Sequence, residues 1–266
     1  MRVALLQYSI AWADKETNLR MAEEHIAALA GKADVAVLPE MFATGFCTDH
    51  PELAETMDGE IIRRLQAVAD KSGVAIVSSF ICLPDSRCPI PDTRTKLRNR
   101  GFMVVPHGEV QIQDKRHLYA HGGEDLFFQP AQKRHIFEYK GVKFLLLVCY
   151  DLRFPVWARN RSGHDYDIII VVANWPDIRI QYWDALIAAR ATENQCYIAA
   201  VNCVGDDGMG LYYNGHSVAY DTRLQPIVSF SDNEEGTKIA EFDIDKLHHF
   251  REVLPLWNDT DNFTLQ

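Results

Sequence analysis

The stretch Phe144-Leu145-Leu146-Leu147-Val148-Cys149-Tyr150-Asp151-Leu152-Arg153-Phe154-Pro155 decides how the rest of the chain is read. Five apolar residues in a row, after the turn signal Lys140-Gly141, predict a strand buried on both faces. The run stops at Cys149, and Pro155 suits the first turn of a helix, where a missing N–H costs nothing. A strand that ends at a cysteine and turns into a helix can hold a thiol in a cleft beside backbone donors. The plainer alternative is a core cysteine, since free cysteine is among the most buried residue types. Residues elsewhere in the chain decide between the two.

Working outward, the same pattern recurs. Upstream, 2–7 and Val35-Ala36-Val37-Leu38 read as strands, with a helix over 15–31 between them that Gly31 closes. A second helix near 59–72 ends at Gly73, and Val74 to Phe80 is the next strand. Residues 84–95, with three prolines, mark a surface loop. Arg98 to Val105 and Val110 to Gln113 flank Pro106-His107-Gly108-Glu109 as a hairpin. The polar stretch 115–132 is long enough to suggest a functional loop, and His135 to Tyr139 pairs with 142–149. Downstream come a short helix (156–162), a strand (167–173), a helix (179–194) and a strand (196–201). A flexible loop at Gly205–Gly210, strands 216–221, 226–230 and 237–242, and a helix near 243–251 complete the pattern. Alternating helices and strands without a linker predict one α/β domain.

Composition narrows the partners. The 266 residues are 47% hydrophobic, enough for a sizeable core. A net charge of -10 argues against nucleic acid or an anionic membrane as partner. Met1 to Gln7 reads as a first strand rather than a signal peptide, and no stretch approaches a membrane span. Six scattered cysteines point to a reduced, cytoplasmic protein without a disulfide framework. His117 and His121 have metal-ligand spacing, but a third ligand is missing and the segment does not read as helical, so no metal or cofactor is expected. His248 and His249 read as a solvated helix face, and Trp183 and Arg190 as packing or dimer contacts.

Several polar residues fall just past buried strands: Glu40, Lys115, Cys149, Asn174 and Asn202. In α/β sheets, ligands bind outside the carboxyl ends of strands. A thiol, a carboxylate and an ammonium suffice for acyl transfer, as nucleophile, base and oxyanion stabiliser. A free thiol and a free glutamate differ by about 4 pKa units, which opposes proton transfer by roughly 5–6 kcal/mol. Burial raises the glutamate and a nearby Lys⁺ favours the thiolate, so the chemistry requires Glu40 and Lys115 to be largely buried together.

Four blocks in order then resemble one family: Leu38-Pro39-Glu40-Met41-Phe42, Asp114-Lys115-Arg116-His117-Leu118, Cys149-Tyr150-Asp151-Leu152-Arg153-Phe154-Pro155 and Ala173-Asn174-Trp175-Pro176. With Ala189 to Gln195 behind them, the whole chain is similar to the nitrilase (carbon–nitrogen hydrolase) superfamily, nearest its omega-amidase branch. The resemblance implies an αββα sandwich that dimerises through its helical layer. It implies Glu40 as base, Lys115 polarising the tetrahedral intermediate and Cys149 as nucleophile, with Glu124 assisting and the Tyr150 N–H as oxyanion donor. It implies hydrolysis of a small amide such as 2-oxoglutaramate or 2-oxosuccinamate. The substrate site would include Asn174 and Trp175, with Arg153 or Arg179 holding a distal carboxylate. Arg94 to Arg100 is more basic than the resemblance leads one to expect. Hydrolysis of nitriles or N-carbamoyl compounds is one alternative, and a non-catalytic scaffold is another.

Overall fold

The computed structural model describes residues 1–84 and 96–261. Its first half runs β1 (Arg2–Gln7), α1 (Lys15–Ala27), β2 (Val35–Val37), α2 (Glu60–Ser72), β3 (Ala75–Cys82), β4 (Arg98–Val104) and β5 (Gln111–Asp114). A short α3 (Glu124–Phe127) leads to β6 (Phe137–Tyr139), β7 (Val142–Val148), α4 (Pro155–Ala158), β8 (Ile168–Ala173), α5 (Ile180–Asn194) and β9 (Tyr197–Asn202). The ribbon β10 (Val204–Asp206) and β11 (Tyr212–Asn214) precedes β12 (Val218–Tyr220), β13 (Pro226–Ser229), β14 (Gly236–Glu241) and α6 (Ile244–Val253).

These strands form two six-stranded sheets, ordered β14-β1-β2-β3-β4-β5 and β13-β12-β9-β8-β7-β6. Valines and isoleucines dominate the facing surfaces. Val3, Leu5, Val35, Val37, Val77 and Met103 of one sheet pack on Phe144, Leu146, Val148, Ile170, Val172 and Val201 of the other. The outer face of the first sheet is covered by α1 and α2 through Leu19, Ile26, Ile61 and Leu65. The outer face of the second is covered by α4 and α5 through Trp157, Trp183 and Ile187. The layers are therefore αββα, as expected. Gly101 lets β4 lie close against β7, since a Cβ there would meet Leu146 Cδ2 at 2.5 Å and the Gln113 carbonyl at 2.7 Å.

Direction matters more than order for the site. β1, β2 and β3 are mutually parallel, and β5 shares their direction through the antiparallel β4. β7, β8 and β9 are parallel in the second sheet. The parallel bridge Ser9↔Val204 joins the ends of β1 and β9, so the carboxyl ends of both parallel sets open on one edge of the sandwich.

Some local expectations need correction. The first helix ends at Ala27, because Leu29 N–H turns back to Ile26 O at 3.0 Å, and Gly31 (φ 73°) lies beyond it. The helix expected over 156–162 stops at Ala158. Arg159 is extended, the Arg134 guanidinium takes the Trp157 and Arg159 carbonyls, and Asn194 Oδ1 captures the Asn160 N–H. Gly205–Gly210 is not a free loop. β10 and β11 pair around it, and Asp207 Oδ1 accepts the N–H groups of Met209 and Leu211 at 2.7 and 2.9 Å. His248 is not merely solvated, since its Nε2 lies 2.9 Å from Asp167 Oδ1. The predicted loop 84–95, apart from Pro84, lies outside the described residues.

Candidate active site

Each principal residue stands where its strand runs out. Glu40 follows β2 after Leu38-Pro39, Lys115 follows β5 directly, and Cys149 follows β7 directly. Cys149 opens a 3₁₀ turn over Cys149–Arg153 with φ +46°, a left-handed conformation unusual for a residue with a Cβ. Met41, next to Glu40, is also left-handed (φ +46°), with its N–H donating to Ser79 Oγ at 3.0 Å. Asp151 fastens the cysteine turn. It accepts from Val148 N at 3.2 Å and from His117 N at 2.8 Å, which ties the segment after Lys115 to the end of β7.

Glu40, Lys115 and Glu124 are 0% exposed. Lys115 Nζ lies 2.9 Å from Glu40 Oε1 and 2.9 Å from Glu124 Oε2, and 5.3 Å from the Phe46 ring centroid. Glu40 Oε2 accepts the Asn174 N–H at 3.1 Å, and Glu124 Oε2 accepts the Tyr119 N–H at 2.7 Å. Asn99 donates through Nδ2 to Glu40 Oε1 at 2.8 Å and to Glu124 Oε1 at 2.9 Å. Neither carboxylate is left without donors, which is the condition for burying it ionised.

Electrostatics set the resting state. Burial alone would discharge Lys115, but Glu124 and Glu40 beside it hold its ammonium protonated well above the ordinary lysine value. Burial, then the adjacent Glu40, push the Cys149 thiol well above 9.0, outweighing the opposing pull of Lys115. Lys115 does favour the thiolate, as expected, but burial and Glu40 outweigh it. Burial, with Glu40 adding to it, also raises the Glu124 carboxyl. The site therefore rests with Cys149 as a neutral thiol beside Glu40.

The thiol opens on a cavity of about 120 Å³ lined by Lys115, Tyr119, Tyr150, Arg153, Trp175 and Arg179, among others. The structure brings together nine residues singled out from sequence, eight of them around this cavity or its thiol and Glu124 behind Lys115, while Asn202 stands behind Trp175, whose backbone it holds. Asn174 is there in a different capacity. Its Nδ2 donates to the Glu40 carbonyl at 2.9 Å and its Oδ1 accepts from Cys203 at 3.0 Å, so its amide holds Glu40 in place. Trp175 Nε1 donates to the Arg179 carbonyl at 2.8 Å, and its ring lies 4.9 Å from the Arg153 guanidinium. Neither Arg153 nor Arg179 has a carboxylate partner among the described residues; their guanidinium contacts are aromatic rings. His117, a metal-ligand candidate by spacing, instead sets Nδ1 at 2.8 Å from Asp151 and stacks on Phe154.

Sequence reasoning missed Asn99, which sits within the basic stretch and carries no spacing signal. It also missed the wall built by Asp207, Met209, Leu211 and Tyr213 of the ribbon. Gly205–Gly210 reads as a flexible loop, and only the pairing of β10 with β11 makes that loop a wall.

Comparisons with known proteins find relatives that span almost the whole chain. The family model described as carbon-nitrogen hydrolase matches residues 2–252. The chain is 38% identical over 266 residues to omega-amidase YafV of Escherichia coli K12, covering 100% of this chain and 98% of that one. It is 30% identical to the 2-oxoglutaramate amidase of Bacillus subtilis, covering 97% of this chain and 96% of that one. The crystal structure of XC1258 from Xanthomonas campestris, a CN-hydrolase superfamily protein with an arsenic adduct in the active site, superposes with a TM-score of 0.92. The two share 36% identity over 100% of this chain and 99% of that one.

Proposed function

The chain belongs to the carbon–nitrogen hydrolase family, and we propose that it is an omega-amidase, releasing ammonia from the distal amide of a small 2-oxo dicarboxylic acid monoamide such as 2-oxoglutaramate or 2-oxosuccinamate. One observation carries this reading: the buried Glu40-Lys115-Cys149 cluster opens on a small cavity whose lining includes two guanidiniums free of carboxylate partners among the described residues. The cluster supplies amide hydrolysis, and the guanidiniums supply a place for the substrate's remote carboxylate. The names of the omega-amidase and 2-oxoglutaramate amidase relatives support the same substrate class.

In this mechanism Glu40 takes the thiol proton as Sγ bonds to the amide carbon. The developing oxyanion is met by Lys115 Nζ and the Tyr150 N–H, at the first turn of a helical segment whose amides lack internal acceptors. Collapse of the intermediate breaks the C–N bond. Glu40 returns its proton to the leaving nitrogen, which departs as ammonia. Water then attacks the thioester, giving a proton to Glu40, and the acid leaves as the thiol is reprotonated. Glu124, behind Lys115, holds its ammonium in place. Because the thiol keeps its proton at rest, deprotonation and attack occur together, and the thiolate does not accumulate.

The test is substrate charge. Replacing the distal carboxylate by a neutral group reduces kcat/KM by about thirtyfold to several thousandfold, the effect of a desolvated cation left unpaired. Arg153→Met and Arg179→Met keep the apolar stem. The one that binds the carboxylate loses the preference for acidic amides while hydrolysis of neutral amides is nearly intact. Equal rates on neutral and acidic amides by the unmodified enzyme refute the specificity and leave the amidase standing. Exposed Val156, Ile178 and Tyr182 on the outer helical layer support a homodimer through that layer.

A further inference from the structure

We propose that Asn99 is a positioning residue for the reaction: a single amide nitrogen yokes Glu40 to Glu124 and favours the ionised carboxylate pair. This inference rests on the amidase reading and concerns a residue that reading does not use. Asn99 is fully buried on β4, away from the cavity lining. An asparagine amide has two hydrogens and one acceptor oxygen to satisfy. Here both hydrogens go to carboxylates, at 2.8 and 2.9 Å, while Oδ1 is buried without a partner among the described residues. A buried acceptor left unpaired is costly, and burying one is rarely neutral. The opposite orientation would aim Oδ1 at two carboxylate oxygens, so the network fixes the amide as a double donor.

The charges around the pair show what that donor does. Lys115 at the end of β5 is the cation facing both carboxylates. The Cys149 thiol from the end of β7 and the Cys203 thiol from the end of β9 face Glu40, and the remaining donors are the neutral N–H groups of Asn174 and Tyr119. Two carboxylates against one ammonium form a pair in which one member tends to take up a proton. A proton on that pair idles the base. Hydrogen bonds from Nδ2 to both oxygens strengthen the ionised form, and they fix Glu40 so that Oε2 is turned away from Lys115.

The experiment is the pH dependence of Asn99→Leu, of similar volume and without a donor. The acidic limb of kcat/KM should move up by about one pH unit. The deficit should approach about tenfold on the acidic side of the wild-type limb and disappear well above the variant's limb, with KM little changed. A loss of the same size at every pH, as a merely structural residue would give, overturns the proposal, and so does an unshifted profile. Asn99→Ser retains one donor and should give a limb between the two; it stands in if Asn99→Leu does not fold. Alkylation of Cys149 by iodoacetamide should show the same shift without any substrate. That readout separates failure of this inference from failure of the amidase reading, which would appear as wild-type protein that releases no ammonia from any amide.

Discussion

Cys149 and Glu124 are the residues whose behaviour follows most directly from burial. A neutral thiol with a carboxylate base tolerates little change of nucleophile, because a hydroxyl is far harder to deprotonate. Cys149→Ser should therefore keep the fold and lose nearly all turnover; ammonia release within about tenfold of wild type would contradict the covalent route. Glu124 is 0% exposed, so its substitution is not a silent surface change. Glu124→Ala would strip Lys115 of one partner and leave the Tyr119 N–H unpaired, at a cost of about 3–5 kcal/mol. Glu124→Gln keeps the shape and is the informative variant: turnover should fall while the protein stays folded. The sign of its pH effect is fixed. A carboxyl raised above its ordinary 4.5 stabilises the fold while protonated, and that share is lost as pH rises through the folded value. Wild type should thus lose stability relative to Glu124→Gln as pH rises above 4.5 toward the raised folded value, measured by urea unfolding. A gain over that range would show that Lys115 dominates the carboxyl instead.

Among the elements, β4 does the most with the least signal. One strand places Asn99 between two carboxylates and Gly101 against β7, where only a residue without a Cβ fits. Gly101→Ala must displace Leu146 or the β5 backbone, and overpacking of this kind costs about 1–3 kcal/mol. Because Lys115 and Cys149 hang from the ends of those two strands, ammonia release should fall as well. A variant with wild-type unfolding midpoint and rate would mean that the sheets separate freely. The elements were otherwise largely legible. The Lys140-Gly141 turn is left-handed at both residues (φ 51° and 74°), as a tight hairpin requires, and Gly73 caps α2 at φ 71°. What misled was ribbon and helix length: the 204–214 hairpin turns on its own Asp207, and the short α4 is ended by side chains from distant segments, Arg134 and Asn194.

At the scale of the whole molecule, the core holds its thiols protonated. Burial pushes Cys47, Cys82 and Cys196 up to about 12, and it drives Cys149 and Cys203 well above 9.0. In the unfolded chain these groups ionise near 9, so their stabilisation is present below that pH and is lost as pH climbs toward 12. Each contributes a slope of about 1.4 kcal/mol per pH unit. The urea midpoint should be nearly flat from pH 7 to 8.5 and fall steeply above 9. A midpoint unchanged between pH 8 and 10.5 would mean that the thiols reach solvent in the folded state. No helix among the described residues is long and apolar enough to cross a membrane.

The sequence by itself determined the strands, most of the helices and four blocks of chemistry, because periodicity, turn residues and strand-end positions are local properties. It named Glu40, Lys115, Cys149 and Glu124 through the family those blocks resemble. Tertiary structure alone decided how they meet. Strand direction brings residues 40, 115 and 149 to one edge of two different sheets, and no local pattern encodes which sheet a strand joins. Tertiary structure also decided the state of the thiol, since burial and the Glu40 carboxylate outweigh Lys115 only at the distances folding imposes. Asn99 was invisible in the sequence for the same reason: its two partners lie 59 and 25 residues away, and an asparagine in a strand acquires meaning only from what faces it.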